Sequence, residues 1–168
     1  LIQYMITKTD ETYTINRTVE EVKERAFRSA KYLKNILVEN GNTKFKSENG
    51  ILYDSDQTIL YVYPNNKTEI IYLMPNTITK IQDYAIYGNS YLEYIEMVDT
   101  IEEMKDYSIY KISKLRTLTI SSGIKTIGEH AIDGNEGLKT IVFRSNDLPN
   151  EGDYSIFPTT VENIYVKN

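Results

Sequence analysis

His130 is the only histidine of the chain, and cysteine is absent. A Ser–His–acid relay or a His-based metal centre needs companions that one imidazole cannot supply. Without cysteine there is no thiolate nucleophile, no disulfide and no Cys-based metal site. The other groups able to do chemistry are carboxylates, gathered at Glu20-Glu21, at Glu102-Glu103 with Asp106, and at Asp54 with Asp56. Two acids could in principle hydrolyse a glycosidic bond, but nothing in this spacing selects a pair. Asp54-Ser55-Asp56 carries too few oxygen ligands for a calcium loop and reads as a turn whose acids cap backbone N–H groups. We therefore expect no catalytic, cofactor-binding or metal-binding residue, and no enzyme. Asn16-Arg17-Thr18 and Asn66-Lys67-Thr68 fit the glycosylation acceptor pattern, which chance matches equally well in a chain rich in Asn and Thr.

These residues recur because the chain repeats. Leu92, Leu115 and Leu138 open successive copies 23 residues apart (115 − 92 = 23), and Val161 opens another. Ile95, Leu118, Ile141 and Ile164 follow three places later; Met97, Ile120, Phe143 and Val166 follow five places later. Ile101 and Ile124, Met104 and Ile127, and the pairs Ser108-Ile109 and Ala131-Ile132 complete the pattern. Earlier copies open at Asp10, Leu33 and Glu69. A period of this length signals a solenoid. His130 falls in the slot of Tyr84 and Tyr107, so a structural ring is expected there.

The copy at Leu33 is longer, its successor arriving 36 residues later (69 − 33 = 36). Two β-prone runs flank the polar residues 54–58, predicting a β-hairpin with a loop longer than two residues. A 59-residue offset also maps residues 1–4 onto residues 60–63, and Ala26 onto Ala85 (85 − 26 = 59). The chain thus reads as a single repeat solenoid over residues 1–168, truncated at both ends from a longer array, with the hairpin insertion at about 39–68.

Alternation in Leu115-x-x-Leu118-x-Ile120 suits a strand with one buried face. Stacked strands are expected near 13–15, 36–38, 72–74, 95–97, 118–120, 141–143 and 164–166. Ile120 and Ile127 are both expected between coils. Locally, residues 18–37 read as a helix, with Thr18 as N-cap and Glu21 completing a capping box. The repeat register places Val19 and Val22 on a return strand instead, with a helical turn only from Ala26. We follow the register, because tertiary context overrides propensity.

At 168 residues and 40% hydrophobic content the chain can build one elongated core. Apolar runs such as 59–63 and 70–74 fall far short of the roughly 20 residues that span a bilayer. A net charge of −5 without a Lys/Arg cluster makes nucleic acid and anionic membrane poor partners.

At these slots the chain resembles the BspA-like leucine-rich repeats, whose unit runs Leu-x-x-Ile-x-Ile-Pro-x-x-Val-x-x-Ile-Gly-x-x-Ala-Phe-x-x-Cys/Asn. Residues 71–81 with Ala85-Ile86 are similar, as are Ile120, Ile124, Ile127-Gly128 and Ala131-Ile132. So is the insert Gly50-Ile51-Leu52-Tyr53 through Leu60 to Tyr63-Pro64. Ile replaces Phe after the small residue except at Phe27, Asn89 and Asn135 take the Cys/Asn slot, and Leu148, Ser155 and Ile156 run one residue late. The resemblance implies a mostly β leucine-rich-repeat solenoid, with a parallel sheet on one face and short strands and helical turns on the return side. It further implies a non-enzymatic, adhesin-like protein-binding module at the cell surface or outside the cell. Its partners would be host or extracellular-matrix proteins, or other cell-surface proteins. An intracellular scaffold and a carbohydrate-binding module are the competing classes; the lack of Trp weakens the second.

Residues between the inward slots point outward, on the face solenoids use for binding. They are Asn35 and Leu37; Ile71 and Leu73; Tyr94 and Glu96; Thr117 and Thr119; Thr140 and Val142; Asn163 and Tyr165. This row is more apolar than solvation requires, and Tyr is enriched at interface hot spots. Open strands at residues 13–15 and 164–166 invite edge pairing, so either a monomer or weak end-to-end self-association is expected.

Overall fold

The computed structural model describes residues 9–145 and 157–166; the expectations for residues 1–4 and 148–156 lie outside them. The chain is a β-solenoid whose coils stack in parallel. Strands β6 (Ile71–Leu73), β9 (Tyr94–Glu96), β12 (Thr117–Ile120), β14 (Thr140–Phe143) and β15 (Asn163–Val166) form one sheet in that order. Their register is the repeat itself: Tyr72, Ile95, Leu118, Ile141 and Ile164 lie opposite one another. The first four are buried, as are Met74, Met97, Ile120 and Phe143 two residues on. Ile164 and Val166, expected on the core face, remain exposed on the outermost strand.

The return side carries two-residue strands β7 (Lys80–Ile81), β10 (Glu103–Met104) and β13 (Thr126–Ile127), and a further pair, β8 (Ile86–Tyr87) and β11 (Ile109–Tyr110), forms a third side. Between them the chain turns through single hydrogen-bonded turns, and no helix occurs among the described residues. Coil joins coil through the backbone at the corners of the regular coils, as where Glu102 N–H donates to Thr79 C=O and Lys125 N–H to Glu102 C=O, both at 2.8 Å. Buried asparagines finish the turns. Asn89 donates to the carbonyls of Pro64 and Lys67 and accepts from the amides of Tyr91 and Leu92. Asn135 donates to the carbonyls of Ile109 and Ile132 and accepts from the Ile112 amide. Each amide thus satisfies carbonyls and N–H groups that burial would otherwise leave unpaired.

The insertion is a three-stranded meander, one strand more than expected: β3 (Phe45–Glu48), β4 (Ile51–Asp54) and β5 (Ile59–Val62). The additional strand is joined by Asn49-Gly50, both at positive φ (51° and 76°), the backbone that a two-residue hairpin turn demands. The second turn is held by Asp54, whose Oδ1 accepts from the amides of Thr58 and Ile59, each at 2.7 Å. β5 then pairs in parallel with β7 and so splices the meander into the return sheet.

This meander is covered on both faces and divides the interior. Ile51, Tyr53, Leu60 and Tyr63 pack into the core beneath β6–β14, whereas Phe45, Leu52 and Val62 pack with Ile15, Phe27, Leu33 and Ile36. It also interrupts the strand face: among the described strands, β1 (Thr12–Ile15) and β2 (Asn35–Val38) form their own sheet and do not pair with β6. Where the two halves meet, Tyr53 and Tyr72 share a hydroxyl–hydroxyl hydrogen bond of 3.0 Å, while the buried Tyr63 hydroxyl has no partner among the described residues. Burial pushes the Tyr53 phenol up to about 12 and also raises Tyr63 and Tyr72.

The register prevails over local helix propensity at residues 18–37, which form no helix. Val19 and Val22 do turn toward the core, but their segment pairs with no strand among the described residues and forms none. Ile127 departs from expectation too: it packs against the core yet is only partly buried, on edge strand β13.

Ile120→Asp should therefore cost more than about 4 kcal/mol by burying an unpaired carboxylate, and Ile127→Asp less than half of that, measured by denaturant unfolding. Tyr63→Phe should leave the melting temperature unchanged or raise it, whereas Tyr72→Phe should cost about 1–3 kcal/mol by stranding the Tyr53 hydroxyl. Because the folded Tyr53 phenol is raised from an ordinary value of 10.0 to about 12, its contribution is complete below pH 10. It should be lost as pH rises through that window, and tyrosinate absorbance followed with unfolding checks this.

Candidate functional site

The outward residues of the five-stranded sheet form two rows set by the register. Ile71, Tyr94, Thr117, Thr140 and Asn163 make one; Leu73, Glu96, Thr119, Val142 and Tyr165 make the other. None is buried. Asn35 and Leu37 do not join them, because the meander leaves β2 in a separate sheet. The rows are apolar at one end, polar through the threonines, and apolar again at Tyr165. Ile71, Leu73 and Tyr94 are 51%, 64% and 43% exposed, and Ile70 beside them 55%. Glu96 is not free: Arg144 pairs with it and reaches Asp99 at 3.5 Å. That pair clamps three coils at the edge of the sheet face.

A second surface feature lies at the corner that follows the return strands. Tyr84, Tyr107 and His130, one period apart, stack face to face with ring centroids 5.0 Å apart, at 7° and 17°. The Arg25 guanidinium lies 4.9 Å above the Tyr84 ring and extends the row. All four residues have positive φ, between 54° and 62°. A left-handed residue immediately before the small Ala or Ser of each coil projects its side chain along the stack, so each ring meets the one above. Three residues on, Arg28, Tyr87, Tyr110 and Asp133 form a parallel row. Arg28 sits 5.2 Å over Tyr87, and Tyr87 and Tyr110 are 6.0 Å apart. Sequence reading placed the recognition tyrosines on the strands and missed this double row. Its signal was the 23-residue spacing of Tyr84, Tyr107 and His130, with the 59-residue offset from Arg25 and Arg28.

The carboxylates of Glu102, Glu103 and Asp106 are used between coils. Glu103 pairs with Lys80 at 2.9 Å and with Lys105 at 2.6 Å, and these cations hold its carboxyl below the usual range. Glu102 pairs with Lys125 at 2.8 Å, and Asp106 accepts from the Glu129 amide at 2.9 Å. His130 faces Asp133 at 3.3 Å, with no nucleophile in hydrogen-bond contact among the described residues. No three His, Asp or Glu side chains converge as a metal site among the described residues, and no described helix is long and apolar enough to cross a membrane.

Residues 7–71 and 58–168 match the BspA type leucine-rich repeat region, in six copies, so the chain belongs to this family. A leucine-rich repeat protein from Eubacterium ventriosum has a similar structure, at 22% identity and a TM-score of 0.81 over 94% of this chain and 48% of that one. The pneumococcal vaccine antigen PcpA is similar at 24% identity and a TM-score of 0.70, over 94% of this chain and 45% of that one. A leucine-rich cell surface protein from Faecalibacterium prausnitzii is similar at 17% and 0.73, over 94% and 48%. The chain thus spans under half the length of each of these structures. No curated protein matches it by sequence.

His130→Tyr should keep the stack and leave the melting temperature within about a degree, since Tyr already occupies that backbone in two neighbouring coils. His130→Val, a β-branched residue at positive φ, should cost about 1–3 kcal/mol. Thermal unfolding followed by circular dichroism compares the two.

Proposed function

We propose that this chain is the protein-binding region of a cell-surface leucine-rich repeat protein, without enzymatic activity, and that it engages its partner through the outward face of the five-stranded sheet. The partner class is a host or extracellular-matrix protein, or a protein on another cell. One observation carries this reading: Ile70, Ile71, Leu73 and Tyr94 form a contiguous exposed apolar group at one end of a face that continues through Thr117, Thr119 and Thr140. Clusters of this kind on soluble surfaces mark interaction sites. Rigid presentation on a hydrogen-bonded sheet lowers the ordering cost of association. Family membership and the surface location stated for the Faecalibacterium relative are consistent with it.

The test is adhesion of the purified chain to a panel of extracellular-matrix proteins and to cultured cells. Leu73→Ala combined with Tyr94→Ala should weaken binding at least about tenfold, the loss of roughly 1.4 kcal/mol, with the melting temperature unchanged. Binding that survives this double substitution would move the site off the sheet face.

A further inference from the structure

Among the described residues, the return strands of the Glu69, Leu92 and Leu115 coils are hydrogen-bonded in series, whereas the return segment of the Asp10 coil is not covered in the same way. In the Glu69 coil, Thr79 C=O accepts from the amides of Glu102 and Glu103, and Ile81 C=O accepts from Lys105. Their counterparts 59 residues earlier are Glu20 and Val22, and neither of their carbonyls accepts a hydrogen bond from another described residue. Asn42 is the cause. Its side-chain amide donates to the carbonyls of Asn16 and Val19, both at 3.0 Å, and its carbonyl accepts from the amides of Lys44 and Phe45, both at 2.8 Å. This ties the Leu33 coil to the Asp10 coil as far as Val19 and then turns the chain away into β3. The strand that would have covered residues 20–23 is diverted into the meander.

A cleft of about 290 Å³ occupies the vacated place. One wall is residues 20–28, another is residues 82–84, and between them Val22, Phe27, Phe45, Tyr61 and Val62 supply apolar lining. The charge around it is unequally committed. Lys23 pairs with Glu21, and Arg25 and Arg28 lie over the rings of Tyr84 and Tyr87. Glu20 and Glu24 enter no ion pair among the described residues, and Asp83 adds a third carboxylate on the facing wall.

We infer that this cleft is a strand-addition site for a basic polypeptide segment of a partner protein. An added strand supplies the amides that the Glu20 and Val22 carbonyls lack, as Glu102 and Lys105 do for Thr79 and Ile81 of the Glu69 coil. Its inward side chains meet the apolar lining, and its Lys or Arg side chains meet Glu20, Glu24 and Asp83. Backbone pairing gives affinity and alternate side chains give selectivity in this mode of recognition. The site is separate from the sheet face and does not depend on the function proposed for that face.

The probe is an acetylated, amidated octapeptide of alternating Lys and Val, titrated into isotopically labelled protein. Saturable binding is expected, with amide shifts at residues 20–24, at Phe45 and at residues 82–84. Methylating alternate peptide nitrogens on the pairing edge should weaken binding at least about tenfold, and so should Glu20→Lys with Glu24→Lys at exposed positions that leave the fold intact. Leu73→Ala with Tyr94→Ala should change nothing here, which separates failure of this site from failure of the sheet face. No binding of the octapeptide, equal binding of its methylated or Glu/Val counterparts, or shifts mapping to the sheet face would each overturn the proposal.

Discussion

Each coil can fold only on its neighbour. A single repeat buries too few apolar side chains to offset the ordering of its backbone, which costs about 1–2 kcal/mol per residue, so the coils share one core and one hydrogen-bond network. The constraint this imposes is registration: each residue must lie over its counterpart 23 positions away, as Thr117 lies over Thr140 and Glu103 over Thr126. Small residues mark where the coils approach most closely. A Cβ at Gly123 would lie 2.3 Å from the Asp99 carbonyl, and one at Gly128 would lie 2.4 Å from the Asp106 carboxylate. The left-handed corner residues follow from the same rule, for once the backbone repeats its conformation the rings of Tyr84, Tyr107 and His130 must stack.

The meander satisfies this rule by a different route. It enters the return sheet through β5, paired in parallel with β7, and offers one face to each half of the interior. Insertion therefore leaves both halves of the interior packed against one shared element although the strand face is broken between β2 and β6. The Tyr53–Tyr72 hydrogen bond and the Tyr63–Tyr72 ring contact at 4.8 Å join the meander to the first regular strand. On its other side, Arg25 and Arg28 reach directly to Tyr84 and Tyr87, bridging the level at which the Leu33 coil contributes no ring.

Much of this was legible because a strict period leaves little freedom. The positions of Ile95, Leu118 and Ile141 follow from spacing alone, and the same spacing overrode the helix that Thr18 and Glu21 suggest locally. What escaped was set by single polar residues and by backbone sign. Asn49-Gly50 is a strong hairpin signal, but the runs flanking residues 54–58 predict a single hairpin, which leaves out β3. Asn42, in a slot held elsewhere by Ile78, Ile101 and Ile124, marks the diversion of the chain, but its four hydrogen bonds emerge only in three dimensions. The outward strand residues were identified by alternation. Alternation does not reveal that Arg144 holds Glu96, or that the meander sets Asn35 and Leu37 apart. The stacked corner rings required the sign of φ at Tyr84, Tyr107 and His130, which composition does not carry.

Registration is tested most directly by removing one whole period. Deleting residues 93–115 joins Leu92 to Arg116, the residue that follows its counterpart Leu115, and keeps every remaining contact in phase. Deleting one residue fewer shifts every following side chain by one place and turns the buried faces of β12 and β14 toward solvent. Denaturant unfolding of the two variants should show a cooperative transition and retained β-structure for the full-period deletion, and a collapsed or unfolded chain for the shorter one. Equal stability of the two would contradict the account.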